Sequence, residues 1–169
     1  GNNITEERVI RDLLEGDEGD PFNKLLHAKS INNMKARNIF QDVKSKIIDT
    51  PDENLKNIDI TVEEKATGEV LVGAGVGSEG GTAQFSVSEN NFLGKGVKLS
   101  TGLRISETRI RGNFTITNPN FNYSEKALST DIFVTDTDKL TDSGYKSSNA
   151  GFSLGTAFEQ YDDFFFRPT

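Results

Sequence analysis

The side chains that most often carry chemistry are few in this sequence and poorly spaced for it. His27 is the only histidine among 169 residues and there is no cysteine. That removes a disulfide framework, Cys-ligated zinc, iron–sulfur clusters and thiol catalysis, and leaves His27 without a second metal ligand of its kind. No Ser–His–Asp arrangement is visible, and His27 reads as a surface residue of a helix. Asp136, Asp138 and Asp142, in TDTDKLTDSG, imitate part of a calcium loop, but the glycine position and closing glutamate of an EF-hand are absent. Gly73, Gly75 and Gly77 have the glycine density of a phosphate-binding loop, which must open a helix; alternating β-type residues follow instead. Arg104, Arg109 and Arg111 cluster near a strand end, with Lys98 on the polar face of Arg104, and Glu107 or Asp131 would neutralise them. Nothing here requires catalysis, a cofactor or a metal. A non-enzymatic protein is expected.

The weight therefore falls on the elements. The length suits one ordinary domain or two small ones. Lys and Arg number 19 against 26 Asp and Glu, a net charge of −7, which argues against a nucleic-acid partner. No stretch approaches the ~18 apolar residues of a membrane helix. A mean hydropathy of −0.51 still admits a transmembrane β-barrel, whose strands alternate lipid-facing and lumen-facing residues. The opening GNNITEERVI has neither the basic nor the apolar region of a signal peptide, so none is expected. Composition shifts near Lys65: residues 1–65 hold 3 of the 16 Gly and 2 of the 12 Phe, and residues 66–169 hold the rest. Two domains are expected, 1–65 and 66–169.

In the first, Thr5 is a good N-cap for EERVIRDLL, with Glu6 and Glu7 in the first turn where the helix dipole favours acid. EGDEGDP ends that helix, and a second follows over about Phe22 to Asn38. Val43, Ile47 and Ile48 mark a strand, TPDEN a turn, and Ile58, Ile60 and Val62 an alternating second strand. The result is an α+β unit with two helices on a small sheet. Because two strands are marginal alone, a strand preceding Gly1 is expected to complete it.

From Gly68 the apolar period is two almost throughout. Six runs, of which Val70–Val76 is the first and Ala150–Phe158 the last, read as an antiparallel meander, and a seventh strand begins near Asp163. Phe133 breaks the polar face of its run. A soluble sandwich alternates in the same way, but the connections differ from one another. Even-numbered ones carry Phe92, then Phe121 and Tyr123, then Phe158 and Tyr161. The odd-numbered ones, Ser78–Gly81, Glu107–Thr108 and Thr137–Gly144, carry no aromatic. In an up-and-down sheet those aromatics gather at one end, as one interfacial girdle of an outer-membrane barrel does.

The helical segment with GDPFN, then ITVEEKATGEVLVGAGVGSEGG, then SENNFLGKG, together resemble the BamA family of outer-membrane protein assembly factors. The resemblance covers the whole chain; its most specific piece is TGEVLVGAGVGSEGG with NFLGKG ten residues on. It implies that residues 1–65 are the last POTRA domain without its first strand. Residues 66–169 are then the first six to seven strands of a sixteen-stranded transmembrane β-barrel, so that the chain is a fragment. It further implies a location in the Gram-negative outer membrane with the POTRA domain in the periplasm, and puts the aromatic girdle on the periplasmic side. Unfolded outer-membrane proteins are the implied clients, accessory lipoproteins the partners of the POTRA domain, and the bilayer the surroundings. In this family the first barrel strand pairs weakly with the last and forms a lateral gate. Carried over, the gate strand for client pairing is Glu69, Val70, Leu71, Val72, Gly73, Ala74 and Gly75. Transporters of chloroplasts, mitochondria and two-partner secretion share the architecture, so a polypeptide-transporting pore is the alternative. A soluble β-sandwich adhesin is the third option.

Overall fold

The computed structural model describes residues 1–51, 55–78, 80–124, 126–161 and 164–168, without the side chains of 123, 142, 159–161, 164 and 165. Two compact units emerge: Gly1–Thr67 with Leu93–Gly96, and Gly68–Phe92 with Val97–Thr169.

The first unit contains α1 (Glu7–Arg11), α2 (Lys24–Ala36) and an antiparallel pair, β1 (Phe40–Asp49) and β2 (Lys56–Glu64). Leu13, Met34, Ile39, Phe40, Val43 and Val62 are buried together, with Val9, Ile10, Leu14, Ile31 and Ile60 packed around them. Met34 and Ile39 are sealed from solvent. α2 starts where Asn23 Oδ1 accepts the Leu25 and Leu26 N–H groups at 2.9 and 3.3 Å, an N-cap that satisfies two otherwise unpaired donors. Buried Ser30 ties α2 to the segment after α1, accepting the Glu15 N–H and donating to the Leu26 carbonyl, both at 2.9 Å. His27 is half-buried rather than fully at the surface, its Nε2 2.6 Å from Ser45 Oγ on β1.

Thr5 is not the N-cap. Glu6 holds that place without a side-chain bond, because Thr5 is buried and committed elsewhere. The Glu64 carboxylate, at the end of β2, accepts the N–H groups of Asn3 at 2.7 Å, Ile4 at 3.0 Å and Thr5 at 2.6 Å. The next amide, Glu6, donates to the Gly94 carbonyl at 2.8 Å. Gly94 has φ +74°, and a Cβ there would collide with the Ile4 carbonyl, so only glycine fits. That is the physical content of NFLGKG.

The second unit is one antiparallel sheet in sequential order: β3 (Gly68–Gly77), β4 (Gly80–Phe92), β5 (Val97–Ser106), β6 (Arg109–Asn118), β7 (Ala127–Lys139), β8 (Tyr145–Tyr161) and β9 (Phe164–Phe166). A 3₁₀ turn, Phe121–Tyr123, joins β6 to β7, and a single helical turn, α3 (Leu140–Ser143), joins β7 to β8. Two strand boundaries differ from the sequence expectation. β7 runs on to Lys139, which pairs with Tyr145, and an Asp138–Lys146 ion pair at 3.3 Å supports the extension. β8 runs to Tyr161, so Phe158 and Tyr161 belong to a strand and not to a connection.

The register carries each face across the sheet. Val72, Phe85, Leu103 and Gly112 are consecutive partners, then Val134 and Ala150; Thr101, Phe114, Ile132 and Phe152 form the neighbouring row. The opposite face carries Ser86, Ser100, Thr115, Asp131 and Ser153. Phe133 stands on this polar face for a local reason. It is the partner of Gly151, and its ring fills the space a side chain there would occupy.

Candidate functional site

All seven residues expected to form a gate, Glu69 to Gly75, lie on β3, an outermost strand of the sheet. Ten residue pairs join β3 to β4, from Gly68–Glu89 to Gly77–Gly80. Among the described residues its other edge has no strand partner, so alternate N–H and C=O groups there point away from the sheet. Val70, Val72 and Ala74 stand on the apolar face; Glu69, Leu71, Gly73 and Gly75 on the polar one. The two glycines differ. At Gly73 a Cβ would press on Gln84 at 3.0 Å, so the Gln84 side chain already occupies that ground. At Gly75 there is room, and Thr82 Oγ1 donates to its carbonyl at 3.2 Å.

Among the described residues, no second layer covers the apolar face. Val72 and Phe152 are each 74% exposed, and Val70, Phe85, Leu103, Ile105, Ile110, Ile132, Val134 and Leu154 are exposed as well. The buried apolar residues named above are all in the first unit. An uncovered patch of this extent marks a surface that meets a protein or a membrane.

Phe92 closes β4 opposite Val97, Phe121 sits in the β6–β7 turn, and Phe158 lies near the β8–β9 turn, all at one end of the meander. The Phe158 ring is 5.7 Å from that of Phe166, with Lys126 Nζ 5.6 Å above it, within reach of a cation–π attraction. The side chains of Tyr123 and Tyr161 lie outside the described residues.

On the polar face, the partners expected for the arginines are engaged elsewhere. Asp131 accepts from Thr115 Oγ1 at 2.7 Å and Ser153 Oγ at 3.3 Å. Glu107 Oε1 accepts the Gly81 N–H at 2.9 Å. Arg104 is the direct cross-strand partner of Arg111. In TDTDKLTDSG, Asp138 is taken up by Lys146 and by the Leu140 N–H at 3.2 Å; the Asp142 side chain lies outside the described residues. The Glu64 cradle and the Glu107–Gly81 bond escape sequence reading. Their only advance signals are a glycine pair after a turn and an acid at a strand end.

Two family models match the chain: a POTRA model, described as a surface antigen variable number repeat, over residues 1–65, and the Omp85 superfamily domain over residues 91–166. The outer membrane protein assembly factor BamA of Buchnera aphidicola subsp. Acyrthosiphon pisum (strain APS) is 28% identical over 138 residues, 80% of this chain. The chain spans only 22% of that relative. The crystal structure of BamA from Haemophilus ducreyi lacking POTRA domains 1-3 superposes with a TM-score of 0.80 at 22% identity, over 96% of this chain and 31% of the other. The fold is that of a POTRA domain followed by strands of a BamA barrel.

Proposed function

From the premise that this chain joins a POTRA domain to an Omp85 superfamily domain, we propose that it is part of a BamA-like factor. Such a factor assembles β-barrel proteins into the bacterial outer membrane. The POTRA domain then stands in the periplasm, where accessory lipoproteins and unfolded outer-membrane proteins meet it, and the sheet stands in the bilayer.

The single observation that carries this reading is the uncovered apolar face of the second unit. A sheet in water hides such a face beneath a second layer, whereas bilayer hydrocarbon covers it without one. β3 to β8 are 10–17 residues long, enough to cross the hydrocarbon at a tilt.

The mechanism follows from hydrogen bonding and needs no cofactor or covalent step. Hydrocarbon offers no partner to a bare N–H or C=O, so a client strand must enter already paired. The free edge of β3 supplies those bonds by strand addition. Weak pairing of β3 with its closing neighbour lets a client displace that neighbour. Gly73 and Gly75 favour this, since a glycine inside a strand costs roughly 0.5–1 kcal/mol relative to alanine.

The test is a reversible lock. In the complete protein, reconstituted in phospholipid vesicles, a disulfide between a cysteine at Val72 and one on the closing strand should stop insertion of an unfolded outer-membrane protein. Reduction should restore it. Insertion at the normal rate in the locked protein would remove the gate and favour the passive polypeptide pore.

A further inference from the structure

The outer tip of the β3–β4 hairpin has little of its own to hold it. Its last pairs are Gly75–Thr82, Val76–Gly81 and Gly77–Gly80, and Val76 is 90% exposed. Three of those six residues besides Gly75 are glycines, so among the described residues side chains add little there beyond the Thr82 hydroxyl bond to the Gly75 carbonyl. On the other side of β4 the backbone ladder to β5 stops at Thr82–Ser106. Gly81 is thus the first residue of β4 beyond that ladder. Its N–H is nevertheless satisfied, because the Glu107 carboxylate, just past the end of β5, accepts it at 2.9 Å. The same carboxylate lies where a Cβ on Gly80 would be, and Gly80 holds φ +79°. Gly80 is therefore required twice, for its backbone conformation and for the space it yields to Glu107. The acid of the β5–β6 turn and the glycine pair of the β3–β4 turn fit one another.

We propose that Glu107 is a positioning residue for the edge strand: its carboxylate extends the β4–β5 ladder by one bond and pins the outer tip of the β3–β4 hairpin. The inference rests on the reading of β3 as the client-pairing strand. An edge that templates a client must present its donors and acceptors in one fixed frame, since a slip of one residue turns every client side chain to the wrong face. The β3–β4 ladder fixes the frame along the strand. Glu107 fixes it at the glycine-rich end, where that ladder has least support.

Three variants of the complete protein in phospholipid vesicles test it: Glu107→Ala, Glu107→Gln and Gly80→Ala. Two quantities are read. One is hydrogen exchange at the Gly81 amide; the other is the register in which a photo-crosslinker at Val72 captures an unfolded small outer-membrane barrel protein diluted from urea. Glu107→Ala and Gly80→Ala should each speed Gly81 exchange about tenfold, the order expected for a lost charge-assisted bond, and spread the crosslinks over several registers. Glu107→Gln keeps an acceptor oxygen but loses the charge, so its Gly81 exchange should fall between the parent and Glu107→Ala while its crosslinks stay in one register. Unchanged Gly81 exchange in Glu107→Ala would overturn the tether. Faster exchange in that variant with crosslinks still in one register would overturn the positioning role. If the parent protein gives no crosslink at Val72 at all, the gate reading fails and takes this assignment with it, an outcome distinct from the other two.

Discussion

At the scale of single residues, Glu64 has the most consequential surroundings in the first unit. Partial burial opposes its ionisation, but the Thr5 hydroxyl and the N–H groups of Asn3, Thr5 and Ile4 together outweigh that and hold its pKa at about 2, against an ordinary 4.5. The sign follows from linkage. A carboxyl with a depressed folded-state pKa contributes stability that is complete above the unfolded value and is lost as pH falls from about 4.5 towards 2. The segment 3–5 should therefore loosen across that window. Glu64→Gln should loosen it at neutral pH, costing about 1–2 kcal/mol, since hydrogen bonds to a charged group lose part of their strength near solvent. Amide exchange at Asn3, Ile4 and Thr5 checks this, and equal protection in the variant and the parent would show that the carboxylate does not hold the segment. None of this was readable in advance. Thr5 before two glutamates looks like a helix cap, but Glu6 takes that place while Thr5 bonds a partner 59 residues away.

At the scale of elements, strand periodicity was legible and charge pairing was not. The alternation from Val70 to Phe158 gives the faces of the sheet correctly, because an amphipathic strand writes its burial pattern directly into the sequence. The two-residue turn Glu107–Thr108 then forces Arg104 against Arg111, Ile105 against Ile110 and Leu103 against Gly112. What alternation cannot reveal is that the two carboxylates expected to neutralise the arginines are already in use, Asp131 by two hydroxyls and Glu107 by a backbone amide. No ion pair joins Arg104 or Arg111 to an acid among the described residues. Like charges placed directly opposite on adjacent strands repel. Arg111→Thr should accordingly strengthen the β5–β6 pairing by about 0.2–1 kcal/mol at low salt, with the gain shrinking as salt screens the pair. Urea unfolding of the complete protein from vesicles at two ionic strengths measures both effects. A variant less stable than its parent at low salt would mean that the two guanidinium groups are neutralised by a third group.

At the scale of the whole molecule, the two units meet the hydrophobic effect in opposite ways. The first closes a core around Met34 and Ile39; the second puts most of its apolar residues on one side of a single layer and, among the described residues, leaves many of them exposed. The same alternation would serve a soluble sandwich, so the sequence pattern left the covering medium open, and a depth-graded substitution series decides it. Phe152 lies mid-strand on the apolar face, opposite Ile132, while Ile110 stands on the same face next to the β5–β6 turn. Ser153 follows Phe152 but points the other way, with its hydroxyl 3.3 Å from Asp131. In a bilayer, arginine costs about 2–4 kcal/mol at the midplane of the lipid face and about 0–1 near an interface. Phe152→Arg should thus lose about 2–4 kcal/mol of folding free energy in vesicles and Ile110→Arg about 0–1. Ser153→Arg should lose almost nothing, since a cation there gains Asp131 as a neighbour. A core beneath a second protein layer has no such gradient, because both apolar positions would be equally dry. Equal losses at Phe152 and Ile110 would therefore place protein, and not lipid, against this face.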